Sequence, residues 1–317
     1  MSLNRVPNRE DLENIADRLN GVVHRTPVLT SETLNRISGA TLFFKCENFQ
    51  KVGAFKFRGA SNALLSLSEE ERSKGIATHS SGNHGQAVAL AARTAGVPAY
   101  IVVPESAPEI KKKAIAGYGA SITYCAPTLI ARETTLEAVV ADTGATFVHA
   151  YDNFDVIGGQ ATAAKELIED SPKLDIIMAP VGGGGLLSGT ALATKYYSEG
   201  TTVIAAEPSG ADDAYRSLKA GKIIPSVNPN TLADGLLTSL GTRNFPILQE
   251  LVAEILLVND DEMIAAMRLI WERMKIIVEP SCAIPLAAVL KHPDQFAGKK
   301  VGIILSGGNV DLEKLPF

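Results

Sequence analysis

The sequence predicts an α/β protein built on parallel sheets, and three observations carry that reading. Strand-like and helix-like segments alternate along the whole chain, as βα units do, instead of separating into all-α and all-β blocks. The strand candidates are short and mostly apolar, the pattern of strands buried on both faces. The chain is 46% hydrophobic but only 6% aromatic, and its abundant Ala, Gly, Val and Ile suit closely packed α/β layers better than an aromatic-rich β surface.

In chain order, strands are expected at 41–46, 75–78, 99–103, 121–124, 146–149, 174–179, 202–206 and 301–305. Amphipathic or small-residue helices are expected between them at 84–95, 109–116, 129–141, 159–169, 186–197 and 262–274, with Gly96 and Gly117 as stops. At 317 residues the chain has room for about two domains. Composition marks no linker, repeat or low-complexity tract, so it places no boundary.

Composition also excludes several classes of function. The 30 basic and 35 acidic residues leave a net charge of −5, which argues against a basic nucleic-acid binder. No apolar run reaches the roughly 18 residues that a membrane span needs. The polar, charged start of the chain is unlike a signal peptide, so a cytoplasmic protein is expected. Cys46, Cys125 and Cys282 are odd in number, far apart and lack a CxxC; they read as buried small hydrophobes, not as disulfides or zinc ligands. The run Lys111-Lys112-Lys113 reads as a solvated helix face.

The strongest local signal is an apolar strand ending at Val181, then Gly182, Gly183, Gly184 and Gly185, then a helix. Such a turn gathers free backbone N–H groups at the positive end of a helix dipole, which makes a phosphate cradle. Gly183, Gly185 and Gly189 also form a GxGxxxG, with Glu207 ending the next strand about 20 residues on, so an NAD-dependent oxidoreductase competes. Gly221-Lys222 and Gly298-Lys299 lack the remainder of a Walker motif.

Lys56 is expected as the second or third residue of a helix after a glycine-containing turn, between Phe55 and Phe57. Partial desolvation there would free a neutral amine for a Schiff base, although a snorkelling surface lysine is the simpler reading of this segment alone. Ser80, Ser81, Gly82, Asn83 and His84 form a polar strand-to-helix turn suited to clamping a carboxylate, or merely to capping the helix. Glu207 and Asp213, with a main-chain carbonyl between them, fit a hard cation or equally a capped helix start. Ser306 ends an apolar strand where ligands sit in open α/β sheets.

Five ordered segments, GAFKFRGA around Lys56, HSSGNHGQA at 79–87, GGGG at 182–185, AAEPSGADD at 205–213 and LSGGNVD at 305–311, together resemble fold-type II pyridoxal-phosphate (PLP) enzymes. The likeness is to the serine racemase and serine/threonine dehydratase group. It implies a tryptophan synthase β-like architecture: two three-layer α/β domains with the cofactor cleft between them. A large domain would comprise residues 1–72 and 150–317, and a small mobile domain would be inserted at 73–149.

It further implies that Lys56 forms the internal aldimine, Phe55 packs near the cofactor ring and Asn83 bonds the ring hydroxyl. Gly182 to Gly185 would bind the phosphate and Ser306 would face the pyridine nitrogen. Ser80, Ser81, Asn83 and His84 would hold the substrate carboxylate, and Arg132 would reach the substrate. Lys56 and Ser81 would act on opposite faces of Cα, as racemisation requires. Dehydratases of the group that lack racemase activity commonly carry alanine at the Ser81 position.

Glu207, Asp213 and the Ala211 carbonyl would ligate Mg²⁺, Mn²⁺ or Ca²⁺. The implied activity is interconversion of L- and D-serine with dehydration of serine to pyruvate and ammonia; dehydration of L-threonine or threo-3-hydroxyaspartate is the alternative. A homodimer is implied, as is ATP activation in some relatives, but Val52-Gly53-Ala54 replaces a hydroxyl-bearing segment beside the lysine. The stretch from His149 to Ala161 also departs from the group's pattern beside the expected substrate pocket. A chain ending at Phe317 is expected to lack the regulatory domain of long threonine dehydratases.

Overall fold

The computed structural model describes residues 2–317 and has the α/β class that the alternation predicts. Ten strands are present among them: β1 (Val28–Leu29), β2 (Thr41–Cys46), β3 (Ile76–His79), β4 (Ala99–Pro104), β5 (Ser121–Cys125), β6 (Thr146–Phe147), β7 (Ile176–Pro180), β8 (Thr202–Pro208), β9 (Glu254–Val258) and β10 (Lys300–Leu305). They form a six-stranded sheet in the order β1-β2-β10-β7-β8-β9 and a four-stranded sheet in the order β5-β4-β3-β6. Every pairing is parallel except β1 with β2.

Alternation along the strands sets the layers. In β10, Val301, Ile303 and Leu305 enter the core beneath the helices Asp260–Met274 and Pro280–Lys291, while Ile304 enters the opposite core with the helices Phe154–Glu169 and Gly185–Tyr197. The small sheet is flanked in the same way. Ile76, Ile101 and Val103 meet Ala87, Val88 and Ala91 of the helix Asn83–Ala95, and Ala77 and Val102 meet Leu136 of the helix Leu129–Thr143. Each sheet is therefore the middle of three layers. Phe57, Ala60 and Leu64 of the helix Lys56–Ser66 also enter the core on the helix-Asn83–Ala95 side of the small sheet.

Some predicted boundaries move for identifiable reasons. The helix expected from 159 starts at Phe154, because the Asn153 side chain caps it by accepting from the Val156 N–H at 3.0 Å. Gly158 and Gly159 lie inside that helix as points of close approach; a Cβ on Gly159 would sit 2.7 Å from the Arg58 carbonyl oxygen. Gly96 does stop its helix, at φ 70°, but Gly117 stays helical and Gly119 takes the left-handed turn at φ 85°. All three cysteines are free and buried. No helix among the described residues is long and apolar enough to cross a membrane.

Candidate active site

Parallel strands leave their carboxyl ends, and the loops that follow, on one side of each sheet. Lys56 lies beyond β2, Gly182 beyond β7, Ser306 beyond β10 and Ser80 beyond β3. Hydrogen bonds and packing show how these loops meet.

Lys56 is the first residue of its helix, one or two positions earlier than expected, because Ala54 is held extended against the loop after β10 and Phe55 is the N-cap. The Phe55 N–H donates to the Ser306 carbonyl at 3.0 Å, the Gly308 N–H donates to the Gly53 carbonyl at 2.9 Å, and Ala54 bridges Gly307. Gly53 at φ 69° makes the turn; a Cβ there would meet Asn309 Oδ1 at 2.8 Å. Lys56 Nζ donates to the Ala150 carbonyl at 2.8 Å and lies 5.1 Å from the Phe55 ring centroid. Burial lowers its pKa to about 8, against the opposing pull of the Glu279 charge. It is therefore not a snorkelling surface lysine but a half-buried amine whose neutral form is far more accessible than that of a solvated lysine.

The residue after Ala150 leads to the glycine turn. The Tyr151 ring lies against Gly183, where a Cβ would come within 2.4 Å of ring carbons, and Tyr151 Cβ would be 3.0 Å from a Cβ on Gly185. The other glycines are equally confined. A Cβ on Gly182 would be 2.9 Å from Leu236 Cα, and one on Gly184, at φ 97°, would be 2.8 Å from Asn244 Cβ. The backbone N–H groups from Gly182 to Leu187 meet no backbone acceptor among the described residues, at the start of a helix whose dipole favours an anion. A turn stripped of side chains and lined with free donors fits a phosphate. Gly183→Ala should cost about 1–3 kcal/mol in overpacking against Tyr151, so cofactor affinity should fall about 5- to 150-fold, measured by titrating the apoprotein with PLP.

The Ser80 turn joins the same place through a carboxylate. Asn83 Nδ2 donates to both oxygens of Glu279 at 3.1 Å, and Asn83 Oδ1 accepts from Asn309 Nδ2 at 2.9 Å. The Asn309 N–H donates to Glu279 Oε2 at 3.2 Å. Burial pushes Glu279 up to about 7 even though Asn83 bonds its carboxylate. Ser80 Oγ accepts from the Gly82 N–H at 3.3 Å, whereas Ser81 is half-buried and its hydroxyl has no partner among the described residues. The His84 ring is committed elsewhere: Nε2 donates to the Val148 carbonyl at 3.0 Å, and burial followed by the Lys56 charge lowers its pKa to about 3. What His84 can offer a carboxylate is thus its main-chain N–H in the first helical turn.

Arg132 lies in the first turn of the helix Leu129–Thr143, with its Nε buried and unpaired among the described residues. Its charge, after burial and against Glu133, contributes to lowering the pKa of His79 at the end of β3. Glu207 accepts from the Ala214 and Tyr215 N–H groups at 2.9 Å, and Asp213 Oδ2 accepts from the Leu240 N–H at 2.9 Å while Oδ1 is buried and unpaired. Burial pushes Glu207 up to about 8 and Asp213 up to about 6.

Sequence reasoning singled out neither Glu279 nor Tyr151 individually. The one signal for Glu279 is the proline after it, which opens the helix Pro280–Lys291 at its first position. The dinucleotide reading does not survive the geometry. Gly189 serves a helix crossing, since a Cβ there would be 2.6 Å from the Ala161 nitrogen. Glu207, buried and bonded to its own chain, is not free to take a ribose hydroxyl.

Comparison with known proteins agrees with this arrangement. The family model described as "Pyridoxal-phosphate dependent enzyme" matches residues 19–307. The chain is 52% identical to the serine racemase of Dictyostelium discoideum over 310 residues, 96% of each chain. It is 50% identical to the β-hydroxyaspartate dehydratase of Paracoccus denitrificans (strain Pd 1222) over 312 residues, 98% of this chain and 99% of the other. The crystal structure of the Dictyostelium serine racemase superposes with a TM-score of 0.93, covering 96% of this chain and 99% of that one. A buried amine, a side-chain-free phosphate turn and a match running through both sheets have one common explanation: the chain belongs to the pyridoxal-phosphate dependent enzymes.

Proposed function

We propose that this protein racemises serine and also dehydrates it to pyruvate and ammonia. The observation that carries the reading is Ser81, a proton-bearing side chain without a partner in a turn tied to Lys56. His84 of that turn feels the Lys56 charge, and Asn83 holds Glu279, whose charge acts on Lys56. Supporting it are the racemase and dehydratase named among the relatives.

PLP, bound with its phosphate on Gly182 to Gly185, would supply an electron sink that acidifies the substrate Cα–H. Lys56 Nζ takes or returns that proton on one face and the Ser81 hydroxyl does so on the other. The Ser80 hydroxyl and the N–H groups at the start of the helix Asn83–Ala95 hold the substrate carboxylate. Asn83, its amide fixed by Glu279 and Asn309, would offer a polar edge to the cofactor's ring hydroxyl, Phe55 would pack against the ring, and Ser306 would give the pyridine nitrogen a neutral hydroxyl. Residues 73–149 form a small unit that closes on the rest, 1–72 with 150–317, and keeps water from the reacting carbon. Dehydration follows when the β-hydroxyl leaves as water, its added proton balancing the one removed from Cα, and water then hydrolyses the released 2-aminoacrylate to pyruvate and ammonia.

The donor set of Glu207, Asp213 and the Ala211 carbonyl fits Mg²⁺ or a similar hard cation, because Asp213 Oδ1 is buried and unpaired and burial holds both carboxyls above their ordinary pKa, a cost that a bound cation would offset. Such an ion would be structural. Asp213 holds the Leu240 N–H, and Leu240 packs 2.8 Å from where a Cβ on Gly184 would lie. We take the working unit to be a homodimer on the likeness to the group.

The test is a panel of serine, threonine, aspartate and 3-hydroxyaspartate enantiomers, assayed for enantiomer and α-keto acid with and without Mg²⁺ and ATP. Serine should yield both products, and chelation should lower both activities together with thermal stability. Formation of keto acid without any D-serine would overturn the racemase. Preferred turnover of 3-hydroxyaspartate would favour the second reading, in which the unpaired Arg132 nitrogen binds a second carboxylate.

A further inference from the structure

Arg58 heads the largest fully buried side chains in the protein, and none of the chemistry above uses it. Its Nε donates to Glu47 Oε2 at 2.7 Å; its Nη1 donates to Glu166 Oε1 at 2.7 Å and Thr162 Oγ1 at 3.1 Å. Its Nη2 donates to Glu47 Oε1 and Glu166 Oε2, both at 2.8 Å, and to the His24 carbonyl at 3.2 Å. Lys45 Nζ completes the cluster, donating to Glu166 Oε2 and the Thr26 carbonyl, both at 2.6 Å. Two cations and two carboxylates thus neutralise one another, with Arg58, Lys45 and Glu47 fully buried and only the Glu166 side chain, 13% exposed, reaching solvent.

The location of this cluster matters more than its balance. Arg58 sits in the first turn of the helix that begins with Lys56, and that helix has no side-chain N-cap. Glu166 and Thr162 lie on the helix Phe154–Glu169, which begins four residues after Ala150, the acceptor of Lys56 Nζ. The two helices touch at glycine: a Cβ on Gly159 would be 2.7 Å from Gly59 Cα. Glu47, in the turn after β2, ties the pair to the large sheet.

We propose that Arg58 is a positioning residue for Lys56: by locking the helix Lys56–Ser66 to the helix Phe154–Glu169, it fixes Lys56 Nζ at the Ala150 carbonyl. The proposal rests on Lys56 being the lysine that engages PLP. A guanidinium suits the task because its planar fork reaches both carboxylates and both helices from one rigid group. A lysine has one nitrogen on a flexible stem and cannot span them.

The test compares the parent with Arg58→Lys, which keeps the charge and loses the fork, and with Arg58→Met combined with Glu47→Gln, which removes one charge of each sign. One readout needs no cofactor: labelling of Lys56 by trinitrobenzenesulfonate in the apoprotein as a function of pH, followed by mass spectrometry. A lysine released from its buried seat regains water, so the labelling midpoint should rise from about 8 by about one unit in both variants. In the PLP-loaded enzyme, kcat should fall roughly 100-fold with a much smaller change in KM. Variants that melt earlier but keep the parent labelling midpoint and kcat would reduce Arg58 to a structural role and overturn the proposal. Failure of the parent itself to take up PLP at Lys56 would instead refute the function reading, and the two failures are distinguishable.

Discussion

Replacing Lys56 with alanine is expected to leave less than about one-thousandth of the parent turnover for racemisation and dehydration alike. The loss is large because Lys56 combines several roles at one atom. Nζ is the amine that would condense with the cofactor aldehyde and the base that would remove the Cα proton. It is also seated on the Ala150 carbonyl at 2.8 Å. Lys56→Arg should be as inactive as Lys56→Ala, since a guanidinium keeps the charge but has no neutral form to react. The sign of the pH dependence follows from burial. Burial lowers the Lys56 pKa to about 8, so the reactive neutral fraction of the apoprotein grows as pH rises through that value. PLP uptake by the apoprotein, followed by visible absorbance and borohydride trapping, should accelerate over the same range. Label found on another lysine, or variants that keep turnover, would remove Lys56 from the mechanism.

How much of this could be read in the sequence depended on how local the determinant is. The glycine turn was legible because four adjacent residues without side chains have few other uses. The structure adds why each is needed, with Leu236, Tyr151 and Asn244 packed where Cβ atoms would stand. Seven of the eight expected strands keep close to their predicted extents because apolar runs bounded by turns are local signals. The strand expected at 146–149 shortens to β6 (Thr146–Phe147), although the Val148 N–H still donates to the Ala77 carbonyl at 2.8 Å. Two strands went unpredicted: β1 has only two residues, and β9 is a five-residue strand at the other edge of the large sheet.

The contacts that make the site were harder to see because they join distant positions. Glu279 meets Asn83 across 196 residues, Arg58 meets Glu166 across 108 and Lys56 meets Ala150 across 94. No periodicity encodes such pairs; they follow only once two sheets have brought their carboxyl ends together. His84 shows the converse. A local reading offered His84 to a carboxylate as part of the polar turn, and only the fold shows that the ring goes to the Val148 carbonyl, which leaves the main-chain N–H for that task.

Ser81 is the residue on which the two activities should separate. Elimination needs a proton removed from one face of Cα and a leaving group lost from Cβ, so a single base suffices. Racemisation needs a second acid/base group on the opposite face, because one amine cannot both remove a proton and return it with inversion. Ser81→Ala should therefore lower D-serine formation by about 10²–10⁴-fold while dehydration stays within about tenfold of the parent. The substitution should fold normally, since the hydroxyl has no partner among the described residues to lose. Deuterium oxide gives a sharper discrimination than rates alone. The serine enantiomer whose Cα–H faces Lys56 should still exchange with solvent in the variant, while the other should neither exchange nor form. If Ser81→Ala interconverts the enantiomers at the parent rate, the second proton carrier is another group. If exchange stops for both enantiomers, Ser81 instead holds the substrate for Lys56, and the assignment of two opposed bases fails.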